Sequence, residues 1–169
     1  MRKVIFFIPL VVFIALGIVF YLQLGKNPEY MPSALVGKPV PKIHLVSLDT
    51  DQVVTNMGLP KGPYLINFWG TWCPTCAIEH PYLMRLEKQG VPIIGIDYKD
   101  DKASAEQWLR NKGNPYKMVL LDELGNFGVN MGVTGAPETV VINSKGIIVY
   151  RHQGAVDDVA WKTIQGYMQ

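Results

Sequence analysis

The stretch "FWGTWCPTCAIEHP", Phe68 to Pro81, holds both cysteines of the chain, Cys73 and Cys76. Before it, after Lys61-Gly62-Pro63, comes the apolar run "YLINFW", Tyr64 to Trp69. A short run without alternation is how a strand buried on both faces reads. After it, Ile78, Tyr82, Leu83 and Leu86 recur at helical spacing, which predicts a helix from about Cys73 to Lys88 with Gly90 as its stop. Pro81 falls inside that helix and removes the bond to the Ala77 carbonyl, so a kink is predicted there.

A cysteine at a strand-to-helix junction meets unpaired backbone N–H groups and the positive end of the helix dipole, both of which favour a thiolate. The dipole is worth roughly 0.3–1 kcal/mol, and one pKa unit is about 1.4 kcal/mol. The dipole alone therefore lowers the Cys73 pKa by less than a unit, and hydrogen bonds to the sulfur, one from Cys76 among them, supply the rest. Pro74 is tolerated because a first-turn residue needs no N–H partner. Cys76, one turn further in, is placed to close a disulfide. In this reading Cys73 attacks and Cys76 resolves.

Two other fates for the pair are weaker. A structural disulfide closing so short a loop restricts the unfolded chain very little. A zinc site needs two further ligands, and none stands at the right spacing. A copper site built from Cys73, Cys76 and His152 is the remaining metal alternative.

The other end of the sequence decides the compartment. After Arg2 and Lys3, the run from Val4 to Leu22 carries no charge, and a bilayer core takes about 20 apolar residues in a helix. Residues 1–24 are expected to form an uncleaved membrane anchor, with a cleaved signal peptide as the competing reading. The two basic residues favour a cytoplasmic N-terminus. Residues 25–35, rich in Pro, Gly and polar side chains, read as a tether. Residues 36–169 are then expected to form a domain on the far side of the membrane, in the periplasm of a Gram-negative cell or an equivalent extracytoplasmic space. Of the 169 residues, 49% are hydrophobic and 18% charged, enough for one packed core. A net charge of +2 without a basic stripe gives nucleic-acid binding no support.

Within that domain, Ile43–Leu48 suggests an edge strand, and Val91–Asp97 and Lys117–Asp122 suggest buried ones. A helix is predicted over Lys102–Lys112, opened by Asp101 and closed by Gly113. A helical turn is expected near Leu124–Asn130. Thr139–Asn143 and Ile147–His152 make a hairpin, and Asp157–Met168 a terminal helix. Alternating strands and helices imply an α/β sheet with helices on both faces. Trp69, Trp108 and Trp161 read as core, His80 as a solvated helix residue, and Tyr98–Lys102 as a solvated turn with a helix cap. His152 reads as a hydrogen-bonding strand-end residue.

"FWGTWCPTC", with Pro81 five residues further on and then "GVTGAPETVVI", resembles the thioredoxin superfamily. With "SALVGKPVPK", "YKDDK", "GNPY" and "YRHQG", the set resembles the membrane-tethered CcmG (DsbE) thiol:disulfide interchange proteins of cytochrome c maturation, over about Ser33 to Trp161. The resemblance implies a thioredoxin-like fold with a central mixed sheet. An extra βα insertion, assigned to Val91–Lys112, and one N-terminal transmembrane helix complete it. It makes Cys73 the nucleophile and Cys76 the resolving thiol, with their disulfide as the redox group and no other cofactor. Pro137, after Ala136, matches a cis-proline facing the dithiol. Glu79 matches a buried acid that exchanges a proton with Cys76, although by itself it reads as a solvated first-turn residue. Glu138 is placed on a partner-binding rim with Trp72, Pro74, Thr75 and Ala136; Trp72 reads equally as a platform or as packing. Asn67 stands where thioredoxins bury an aspartate.

The activity implied is reduction of the CxxCH disulfide of apocytochrome c, or of a CcmH-type haem-lyase thiol subunit. Electrons would come from a DsbD-type transmembrane donor. A general reductase or oxidant of the same fold, and a copper chaperone, are the alternatives.

Overall fold

The computed structural model describes residues 8–23 and 34–168. The chain separates into two units, Met1–Met31 and Pro32–Gln169. The first contains α1, Ile8–Gln23, whose large apolar side chains are exposed. Its 16 residues reach roughly 24 Å at 1.5 Å each. Among the described residues no helix is long and apolar enough to cross a membrane. Residues 1–7 and 24 of the expected anchor, and 25–33 of the expected tether, lie outside the described residues.

In the second unit seven described strands form one sheet: β1 His44–Ser47, β2 Val53–Thr55, β3 Tyr64–Trp69, β4 Ile93–Tyr98, β5 Met118–Asp122, β6 Glu138–Ile142 and β7 Ile148–Gln153. Their order is β2-β1-β5-β4-β3-β6-β7. The β3–β4 and β4–β5 pairs are parallel and all others antiparallel. The helices are α2 Pro74–Lys88, α3 Lys102–Lys112, α4 Asn126–Asn130 and α5 Asp158–Ile164.

Every residue of β3 and β4 is buried, as their unbroken apolar runs predict. Alternation along β3 divides the core. Leu65 and Trp69 join Leu83 and Leu86 of α2, Ala105 and Leu109 of α3 and Ile164 of α5. Ile66 and Phe68 face the other way, against Val40, Phe127 and Met131. Each such leucine, isoleucine, valine, phenylalanine or methionine contributes roughly 1.5–3 kcal/mol through removal from water. Both helical layers are therefore anchored to the strand that leads into the cysteines.

Several boundaries differ from expectation. The strand at His44–Ser47 is not an edge; it pairs with β2 on one side and β5 on the other. The edge is β2, three residues long and too short to show a period. The strand expected as an insertion is β4, which lies in the middle of the sheet between β3 and β5. Helix α2 holds Pro81 within its Pro74–Lys88 span and, as expected, ends before Gly90, which has φ +82°. The terminal helix stops at Ile164 and continues as a 3₁₀ turn, Gln165–Tyr167.

The far edge of the sheet is covered by the chain that enters the domain. Gly37 N donates to Ile148 O at 2.8 Å, Ile148 N to Lys38 O at 2.9 Å, and Val40 N to Gly146 O at 3.1 Å.

Candidate functional site

Strand β3 ends at Trp69, and Gly70-Thr71-Trp72 leads into the helix. Cys73 is the N-cap of α2: its backbone is extended, with φ −97°, and its Sγ accepts from Cys76 N at 3.1 Å. A sulfur thus takes the place of the usual hydroxyl or carboxylate cap. Pro74 follows as the first helical residue, where its missing N–H leaves nothing unpaired. Cys73 and Cys76 are joined as a disulfide with their Cα atoms 5.3 Å apart. Both are buried, while Trp72, Pro74 and Thr75 are exposed around them.

The register of β3 with β6 pairs Phe68 with Glu138. The Ala136–Pro137 peptide, which is cis, therefore lies beside the end of β3 from which the cysteine loop leaves. Ala136 packs against the core cluster that contains both cysteines.

Glu79, one turn beyond Cys76, is 2% exposed. Asn67 Nδ2 donates to its Oε1 at 2.9 Å and Val156 N to its Oε2 at 2.8 Å. Burial pushes its pKa up to about 7, and the two hydrogen bonds only partly oppose this. The solvated reading of Glu79 is excluded. Asn67 is fully buried, accepts from the Tyr116 hydroxyl through Oδ1 at 2.9 Å and donates to Thr139 Oγ1 at 3.0 Å. A buried polar chain thus runs from Tyr116 through Asn67 to Glu79.

A second acid lies on the same side of the sheet. Asp97 of β4 pairs in register with Trp69, is 0% exposed, and has no hydrogen-bond partner among the described residues. Burial, followed by the charges of Asp100, Asp101 and Glu123, pushes its pKa up to about 8. Tyr116 is raised well above its usual value by burial, with Glu79 and Asp97 adding to it.

Three expectations need correction. Glu138 is not on a rim: it is 1% exposed and forms an ion pair with Arg151 of β7, whose Nη2 donates to Oε2 at 2.9 Å. Strand alternation turns it inward, and a buried carboxylate needs that cation. His80 is not solvated. Its Nε2 lies 3.2 Å from Gly113 O, its ring meets Trp108 edge-on at 4.3 Å, and burial lowers its pKa. A carbonyl only accepts, so the nitrogen facing it, Nε2, is the one that carries a proton. The Tyr98–Lys102 turn does cap α3 through Asp101. It also holds the cysteine loop: Trp72 Nε1 donates to Tyr98 O at 3.0 Å, and Thr71 N donates to Asp100 Oδ2.

His152 Nε2 meets Ala155 O at 3.1 Å. No cluster of three or more potential metal ligands occurs among the described residues. Asp97, Tyr116, Arg151 and Val156 were not anticipated as parts of the site. A lone acid closing the apolar run "VPIIGID" was the available signal for Asp97; the other three are brought in only by tertiary structure.

A cysteine pair at the tip of a helix, set between a cis-proline loop and a buried acid on a mixed sheet, defines a thioredoxin-like thiol:disulfide oxidoreductase. The Redoxin family model matches residues 35–164. The chain is 48% identical over 160 residues to the thiol:disulfide interchange protein DsbE of Haemophilus influenzae, covering 91% of this chain and 88% of that protein. It is 44% identical over 169 residues to DsbE of Escherichia coli K12, covering 96% and 91%. The fold superposes on a putative DsbE crystal structure from Chlorobium tepidum with TM-score 0.69 at 18% identity, covering 79% of this chain and 98% of that one. The chain belongs to the Redoxin family, in its DsbE-type branch of thiol:disulfide interchange proteins.

Proposed function

We propose that the chain is a membrane-anchored periplasmic reductant serving cytochrome c maturation. The charge-free run after Arg2 and Lys3 supports the anchor and its orientation. The DsbE-named relatives support the exchange chemistry. The observation that carries the exchange chemistry is the Cys73–Cys76 pair at the start of α2, with the buried carboxyl of Glu79 one turn behind Cys76.

In the reduced protein, the Cys73 thiolate attacks one sulfur of a CxxCH disulfide in apocytochrome c or a CcmH-type thiol subunit. A new S–S bond forms, the partner's S–S bond breaks, and its second sulfur leaves and takes a proton. Glu79 accepts the Cys76 proton. Cys76 then attacks the Cys73 sulfur, and the bond between Cys73 and the partner breaks. The departing sulfur takes the proton held by Glu79, so the partner leaves as a dithiol and Cys73–Cys76 is oxidised. Two electrons have passed to the partner, and a DsbD-type donor returns them.

Replacing Cys73 or Cys76 by Ser and following covalent haem attachment to c-type cytochromes tests the role; undiminished attachment refutes it. A strong oxidant of the same fold is disfavoured because Pro74-Thr75 offers the thiolate no cation or imidazole. A measured potential near −120 mV, the range of such oxidants, would reverse the direction.

A further inference from the structure

The Tyr98–Asp101 segment reaches into the redox loop from a neighbouring strand. Asp100 uses both carboxylate oxygens: Oδ2 accepts from Thr71 N, and Oδ1 accepts from Asp101 N at 2.9 Å. Asp101 in turn caps α3 by accepting from Ser104 N at 3.0 Å. One carboxylate therefore ties the residue before Trp72 to the start of a helix. Trp72 itself is pinned through its indole N–H on Tyr98 O.

Gly70 completes the arrangement. A Cβ there would stand 2.5 Å from Trp72 Nε1, so the indole lies where any other residue would put a side chain. Trp72 is 50% exposed. An exposed side chain ordinarily samples several rotamers, yet this one is held by its N–H and by the bare backbone beneath it.

We propose that Asp100 is a positioning residue that presets Trp72 as a fixed platform beside Cys73. The fixed pose selects the disulfides that Cys73 reaches, favouring an extended peptide that lies against the indole over a small disulfide that does not touch it. This rests on the dithiol reading above. Ordering one large side chain at the moment of binding corresponds to roughly a three- to tenfold loss, and the preset pose avoids it.

The test uses the reduced full chain and two probes: a synthetic peptide with a disulfide-bonded Cys-x-x-Cys-His sequence, and Ellman's reagent. In Asp100→Ala the ratio of the peptide rate to the Ellman rate falls about three- to tenfold, through KM for the peptide. Asp100→Asn, which keeps one acceptor oxygen and the side-chain shape, falls less. Trp72→Phe keeps a ring but loses the donor. Combining it with Asp100→Ala costs no more than the worse single change, because both act on one pose. Hydrogen exchange at the Trp72 indole N–H speeds up about tenfold in Asp100→Ala.

A ratio within twofold of the unaltered protein, or losses that multiply in the double variant, overturns the proposal. A lowered unfolding midpoint with an unchanged ratio makes Asp100 merely structural and also overturns it. If the unaltered protein reduces Ellman's reagent but not the peptide, the partner proposed above is wrong, and indole exchange still decides the role of Asp100.

Discussion

Glu79 and Val156 are 77 positions apart, yet the backbone N–H of Val156 donates to Glu79 Oε2 at 2.8 Å. The segment entering the last helix thus closes the pocket around the acid behind Cys76. The carboxyl is sealed from water on one side by α2 and on the other by residues from the end of the chain. Burial raises its pKa while that N–H holds it in place.

Glu79 should therefore show in the pH dependence of the second exchange step. Its carboxyl charges as pH rises through about 7, and only the charged form accepts the Cys76 proton. Glu79→Gln removes that rise, slowing the resolving step by about 10²–10⁴-fold above neutrality. Rapid-quench kinetics of mixed-disulfide decay against pH would show it. A profile with the same inflection near neutrality in both proteins rules Glu79 out.

Asp97 predicts a stability effect with a defined sign. Its folded pKa, about 8, lies above the ordinary 3.8. Between those values the folded state holds a proton the unfolded state has lost. Stability is thus fully present below about pH 4 and lost as pH rises through about 8. Asp97→Asn should raise the thermal midpoint at about pH 9 and leave little difference at about pH 4. Calorimetry of both proteins at the two pH values decides it, and the same difference between them at both would contradict the assignment.

The Glu138–Arg151 pair should be costly to break and cheap to replace. Arg151→Ala strands a carboxylate that is 1% exposed, and loss of one partner of a buried pair costs about 3–5 kcal/mol. Glu138→Gln combined with Arg151→Met should recover most of it. Denaturant midpoints of the two variants and the unaltered protein provide the check.

Cys73 has a structural duty separable from its chemistry. Its sulfur accepts the Cys76 N–H at the tip of α2, so Cys73→Ser should keep the cap and Cys73→Ala lose it. Both variants are inactive, but the alanine should be less stable by about 0.5–2 kcal/mol. Equal urea midpoints would show that the cap contributes nothing.

The parts of this molecule readable in advance were those written in contiguous residues. β3, α2 and the Cys73–Cys76 pair follow from an apolar run, helical spacing and Pro74. Gly113 and Asp101 bound α3 as their backbone preferences require. What escaped were relations across strands. Asn67 and Tyr116 are 49 positions apart and meet only because the sheet places them on one face. Glu138 is buried against Arg151 of β7, a pairing that only the sheet brings about. His80 reads as polar and solvated in a helix, and only the chain end of α3 and Trp108 enclose it.

The entering chain at Gly37–Val40 lies against Gly146–Ile148, at the end of the sheet where β3 begins and β6 finishes. The sulfurs stand at the opposite pole, one six-residue strand away, or roughly 20 Å. The chain therefore enters this domain at its blunt end, the pole opposite the one that carries its chemistry.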